Sequence, residues 1–156
     1  MVNSKLLKNK NKILIIAAHP DDEILGCGGA ILKYKKTHQI KTVFLTNGVS
    51  ARNKSKNSKA IRKKECINLF KHLKIDNPIF LNLPDNQLDK LPLLKIIKKI
   101  EQVIKKYKPH TVFTHFENCL NIDHQIAYRA TITACRPLKD ISVKKILSYE
   151  VLSSTD

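Results

Sequence analysis

Five short runs rich in β-branched and aromatic residues recur along the chain, and helical patterns fill the gaps between them. The runs are ILIIAA (13–18), IKTVFLT (40–46), PIFLNL (78–83), HTVFTH (110–115) and KILSYEV (145–151). Segments of this length and composition read as strands. The clearest helix lies over 91–107, where Leu93, Ile96, Ile97, Ile100, Val103, Ile104 and Tyr107 recur at three- and four-residue steps. Lys95, Lys98, Lys99 and Lys106 fall mostly off that stripe, as a surface helix requires. A second helix is expected from Ser58, acting as N-cap, to Leu73, with Ile61, Leu69 and Leu73 on its apolar face. Two more are expected over 23–36 and 123–135, and the polar stretch SARNKSKNSK (50–59) reads as a mobile loop. Such strict alternation predicts an α/β, Rossmann-like three-layer fold: a mostly parallel sheet of five or more strands, helices on both faces, right-handed crossovers.

The 156 residues suit one domain with a single core. A formal charge of +16, from 29 basic and 13 acidic residues, would suit a polyanionic partner. Lysine dominates that excess, however, and few aromatics are interleaved to stack on bases, so no specific nucleic-acid binding is expected. The cysteines, Cys27, Cys66, Cys119 and Cys135, are widely spaced and form no Cys-x-x-Cys pair, which fits a reducing compartment better than a disulfide or zinc-ribbon framework. The basic start followed by the apolar run at 13–18 imitates a signal peptide, but that run is shorter than a typical h-region, and none could span a bilayer. A cytoplasmic protein is expected.

In parallel α/β sheets, ligands bind beyond the carboxyl ends of the strands. Just past the first four runs the chain reads HPDDE, NGVS, PDNQ and FENCLNIDH, so polar and acidic residues collect at one edge four times. Adjacent acids repel unless a cation or a shared proton joins them. His19, Asp22 and His124 make two imidazoles and a carboxylate, a set that suits catalytic zinc with one position open to water. The same set holds iron in some oxygenases, so ligand types alone do not choose the metal. GCGGA (26–30) lacks the third glycine of a dinucleotide fingerprint and reads instead as small residues pressing the first helix onto the sheet.

Taken in order, AHPDDE, LTNG, RKKE, LPDNQLD and THFENCLNIDH resemble the LmbE-like (PIG-L) family of zinc-dependent sugar N-deacetylases. The resemblance runs from about residue 13 to the end and implies a single LmbE-like domain over 1–156. It implies that His19, Asp22 and His124 hold Zn2+, that Asp21 is the general base, and that the substrate is a small N-acetyl amino sugar or glycoconjugate. It further implies that Arg62 of the Arg-x-x-Glu pattern contacts substrate. By helical position alone, Glu65 lies near the expected apolar stripe, and Arg62 three residues earlier is its obvious ion-pair partner. Asp85 matches the family's Pro-Asp and is either a binder of sugar hydroxyls or a turn residue. Asp123, next to His124, is either a support for the ligand set or the N-cap of the fourth helix.

Two departures qualify the resemblance. Many members carry a histidine three residues before the last ligand, implied to stabilise the tetrahedral intermediate; here that place is Asn121, which can donate a hydrogen bond but cannot carry a proton. His115 is the candidate substitute. Members also commonly continue beyond EVLSSTD, so a C-terminal portion covering the cleft is expected to be absent here or supplied by another subunit of a homo-oligomer. Two other readings compete: a non-catalytic metal-binding Rossmann-like module, and a basic anion-binding protein using its lysine-rich face.

Overall fold

A computed structural model describes residues 11–49 and 56–152. Its strands are β1 (Lys12–Ala17), β2 (Gln39–Thr46), β3 (Ile79–Leu83), β4 (Thr111–His115) and β5 (Lys145–Tyr149). Its helices are α1 (Asp22–Tyr34), α2 (Lys56–Leu73), α3 (Leu93–Tyr107) and α4 (Ile122–Ala134), with one 3-10 turn, Leu88–Lys90, ahead of α3. Every neighbouring strand pair is parallel, in the order β3-β2-β1-β4-β5. The α/β three-layer layout expected from the alternation is the one the chain adopts.

β1 is the central strand, and its unbroken apolar run is what burial on both faces demands. Leu14, Ile16 and Ala18 pack with Ile96, Ile97, Ile100 and Ile104 of α3 and with Ala127, Ala130 and Ala134 of α4. On the other face Ile13 and Ile15 meet Cys27 and Ile31 of α1, while Ala17 and Phe44 meet Cys66 and Phe70 of α2. The α3 stripe is therefore core, as its spacing predicts. Ile100→Ala is expected to cost about 2 to 5 kcal/mol and Lys98→Ala, on the exposed face, under about 0.5 kcal/mol, read by urea denaturation.

The second helix corrects two expectations. It starts at Lys56, not Ser58, so part of the stretch assigned to a mobile loop is helical; residues 50–55 lie outside the described residues. Its buried face is Cys66 and Phe70, with Leu73 partly buried, whereas Ile61 and Leu69 are 55% and 36% exposed. This helix covers only the strip of sheet carrying Phe44, against which Phe70 packs edge to face, so two positions one turn apart suffice.

Of the GCGGA glycines, only Gly26 is pressed against the sheet side. A Cβ there would collide with the Tyr149 ring and lie 2.9 Å from the Glu150 carbonyl, while one on Gly29 would meet open space. The strand order reverses between β1 and β4, which opens a crevice at their carboxyl ends, the place where such sheets hold ligands.

Candidate active site and metal centre

Two loops meet in that crevice. After β1 the chain turns through His19 and Pro20, and the Asp22 carboxylate folds back to accept the His19 backbone N–H at 2.8 Å. That bond brings the Asp22 side chain beside the His19 ring. After β4, Asn121 is the N-cap of α4: its Oδ1 accepts the backbone N–H of Asp123 at 2.9 Å and of His124 at 3.3 Å. The amide oxygen of Asn121 is thus committed to the cap, and its NH2 is the end that can donate. Asp123 is not the cap. The cap fixes the first turn of α4 and delivers His124 to β1.

His19 Nδ1 and His124 Nε2 stand 3.3 Å apart. Asp22 Oδ2 lies 3.4 Å from His19 Nδ1, and Asp22 Oδ1 lies 3.4 Å from His124 Nε2. Two imidazole nitrogens and a carboxylate oxygen are a donor set found in catalytic zinc sites. His19, Asp22 and His124 thus bring one donor atom each within 4.8 Å of one another, a set that could hold a single cation. All three groups are largely withdrawn from water, with Asp22 and His124 at 3% exposure. Such burial is costly for a carboxylate without a cation.

A second layer aims these donors. Asp123 is fully buried; its Oδ2 takes His19 Nε2 at 3.2 Å and the Asn86 N–H at 2.8 Å, and its Oδ1 takes the Leu88 N–H at 3.0 Å. Asp123 thereby ties the β3–α3 loop to the His19 ring and turns Nδ1 toward Asp22, the carboxylate-histidine pairing typical of metal sites. Asp85 is 2% exposed, accepts the Thr46 hydroxyl at 3.1 Å and lies 3.5 Å from His19 Nε2, so it backs the same ring. His115 is 1% exposed and stacks on His124 with ring centroids 3.9 Å apart. Its Nε2 accepts the Ala18 N–H at 2.9 Å and sits 3.4 Å from Asp22 Oδ2. The placement of His115 behind His124 argues against its contact with substrate: it buttresses the donors from beneath.

Three neighbours have no role assigned from the sequence, although Glu23 and Cys119 lie inside the motifs. Tyr149 donates its hydroxyl to the Ile16 carbonyl at 2.9 Å and touches His115. Glu23, 1% exposed, accepts the Asp21 N–H at 3.0 Å and so holds the turn that carries Asp21. Cys119 places its Sγ 3.1 Å from His124 Nδ1. With Nε2 turned to the donor triangle, Nδ1–H donates to that sulfur.

Charges in the site arise from these contacts. Burial works against the Asp22 carboxylate, but the imidazoles of His124 and His19 hold it ionised, well below the usual range. Burial likewise opposes a charge on His19, yet the bonds to Asp123 and Asp22 win and raise it to about 10. A cation held at Nδ1 would compete with that proton. His115 is driven down to about 4, by burial first and by the nearby histidines, against the pull of Asp22, so it is neutral.

Asp21 stands apart from the triangle. Its Oδ2 accepts from Arg62 at 3.1 Å, which replaces the expected Arg62–Glu65 pair; Glu65 is exposed. Burial and the Asp22 charge raise the Asp21 pKa against the pull of Arg62 and His19. Asp21 and Arg62 open onto a cleft of about 250 Å³ whose wall includes Leu25 and Leu69.

The GlcNAc-PI de-N-acetylase (PIG-L) family matches residues 14–135, spanning both ligand-bearing loops. The chain belongs to the PIG-L family. It is 32% identical over 163 residues to the uncharacterized deacetylase YaiS of Escherichia coli (strain K12), covering 99% of this chain and 83% of that one. It is 29% identical over 134 residues to a probable N-acetyl-alpha-D-glucosaminyl L-malate deacetylase 2 of Bacillus subtilis (strain 168), covering 80% of this chain and 61% of the other. Among solved structures, N,N'-diacetylchitobiose deacetylase of Pyrococcus horikoshii superposes with a TM-score of 0.73 at 25% identity, over 89% of this chain and 55% of that one. This PIG-L chain therefore spans only part of the length of its relatives, and among its described residues no helix is long and apolar enough to cross a membrane.

Proposed function

We propose that the protein is a zinc-dependent hydrolase that removes acetyl from an N-acetylated amino sugar or its conjugate. The observation that carries this reading is the donor triangle of His19, Asp22 and His124, with an unligated carboxylate, Asp21, next to it. The names of two relatives, acting on a glucosaminyl malate and on diacetylchitobiose, support the sugar class.

Zinc, when bound by His19, Asp22 and His124, supplies Lewis acidity, lowering the pKa of a water and polarising the acetyl carbonyl. Asp21 takes the proton that the attacking water gives up and hands it to the leaving amine as the amide C–N bond breaks. Its raised pKa suits a group that must hold that proton between the two transfers. Arg62 keeps Asp21 oriented through an ion pair exposed enough to exchange for a substrate oxygen. The Asn121 amide NH2 is the donor available to the developing oxyanion, in place of a histidine. Asp123 and Asp85 fix the His19 ring, and Cys119 fixes that of His124. Four buried cysteines, none of them joined in a disulfide, accord with a reducing, cytoplasmic setting.

The test is acetate release from N-acetylglucosamine, N,N'-diacetylchitobiose and an N-acetylated dipeptide. Turnover of a sugar, with the free amine formed in equal amount, is expected; turnover of the peptide alone would overturn the substrate class. Cys119→Ala is expected to weaken zinc roughly ten-fold, by the loss of a bond that orients a ligand. Competition with a chromogenic chelator reads that change directly, and unchanged affinity would remove Cys119 from the account.

A further inference from the structure

At the opposite edge of the sheet from the donor triangle lies a groove of about 590 Å³, between α3 and the flank of β3. Its floor is apolar, formed by Ile79 and Leu81 of β3 and Val103 of α3, all partly buried. Its rim carries Lys12, Lys41, Lys99 and Lys106 against a single carboxylate, Asp76. Lysines that read as dispersed in the sequence are thus gathered by the fold around one concavity, since the amino ends of β1 and β2 face the last two turns of α3.

The walls are tied together. Tyr107 donates its hydroxyl to the Gln39 carbonyl at 2.9 Å, and the Gln39 amide donates to Asp76 at 3.2 Å. Lys41 pairs with Asp76 at 3.3 Å, which accounts for the one acid. Lys12 donates to the Tyr107 carbonyl at 3.2 Å. Lys99 and Lys106, by contrast, engage no partner among the described residues, so two lysines about two turns apart on one face of α3 line the groove without an ion-pair partner.

We propose that this groove binds a small organic anion with an apolar body, the body lying on Ile79, Leu81 and Val103 and the anionic group meeting Lys99 and Lys106. The volume is within the range of small-molecule sites, about 300 to 1,000 Å³. Lysines act as point charges without the bidentate fork of arginine, so the anionic group can be a carboxylate, sulfonate or phosphate. A stacked nucleic-acid strand is disfavoured, because the one aromatic ring of the groove, Tyr107, is capped by the Lys12 ammonium at 5.3 Å. The site is separate from the deacetylation chemistry and does not depend on that reading.

The probe is 8-anilinonaphthalene-1-sulfonate, an aromatic sulfonate whose fluorescence rises in apolar surroundings, titrated into the full chain at moderate salt. Saturable binding near one probe per chain is expected. Lys99→Glu with Lys106→Glu should weaken it at least ten-fold, Lys99→Gln with Lys106→Gln by less, and the control Lys95→Glu with Lys105→Glu should leave it within two-fold. Uncharged N-phenyl-1-naphthylamine should bind more weakly than the sulfonate. Equal affinity in wild type and in the Lys99/Lys106 reversal would overturn the proposal. So would an equal loss in the Lys95/Lys105 control, since net charge and not the groove would then govern binding. All four lysines are outside the core, and thermal unfolding of each variant verifies that the fold is retained.

Discussion

Asp21→Asn is expected to keep zinc and to lose deacetylation by a factor on the order of 10² to 10⁴, the usual cost of removing a general base. The substitution preserves shape and still accepts from Arg62, whose bond to Asp21 is 3.1 Å long. It removes the negative charge and with it the lone pair that takes the proton. Asp22→Asn is the companion, because Asp22 lies 3.4 Å from both ligand imidazoles and contributes the charge of the donor set. That variant should bind zinc at least ten-fold more weakly. Zinc content and acetate release, measured on both proteins, separate the two jobs. Loss of zinc from Asp21→Asn with retention in Asp22→Asn would exchange the roles, and near-normal turnover by Asp21→Asn would remove it from the mechanism.

His124→Ala is expected to abolish stoichiometric zinc, leaving two protein donors where the chain otherwise offers three. The stack on His115 disappears with the ring, but the fold should survive. The cap by Asn121 is made to the backbone N–H groups, which alanine retains. Circular dichroism should therefore match wild type while metal analysis reads less than about a tenth of an equivalent. A full equivalent of zinc in this variant would place the metal elsewhere.

The parts legible in the sequence are those where one local pattern fixes one structural role. The run at 13–18 is apolar throughout because β1 is covered on both faces, and the α3 stripe is regular because one face packs on the sheet along four turns. The convergence of His19, Asp22 and His124 was legible because the two loops that carry them follow strands that prove to be neighbours, β1 and β4. The α2 face was not, since two contacts one turn apart leave Ile61 and Leu69 outside, and counting apolar residues picks the wrong side. Arg62 obeys the same logic: its partner is Asp21, 41 positions away, and the helical spacing to Glu65 was a coincidence of the sequence. Asp123 read as either a support for the ligand set or the N-cap of α4; the cap is Asn121, which the sequence reading did not name for it, and Asp123 packs instead against His19, Asn86 and Leu88. His115, Tyr149 and Cys119 act through contacts made only once β4, β5 and α4 are assembled, so no spacing announces them.

Deacetylation is expected to depend on one metal held by His19, Asp22 and His124. The most direct test is a titration of chelator-stripped protein with zinc, tracking acetate release from whichever N-acetyl sugar the untreated protein turns over. Almost no release is expected at the start, then a linear rise and a break at one zinc per chain, with no rise for His124→Ala. Full release from the stripped protein, or the same rise in His124→Ala, would contradict it.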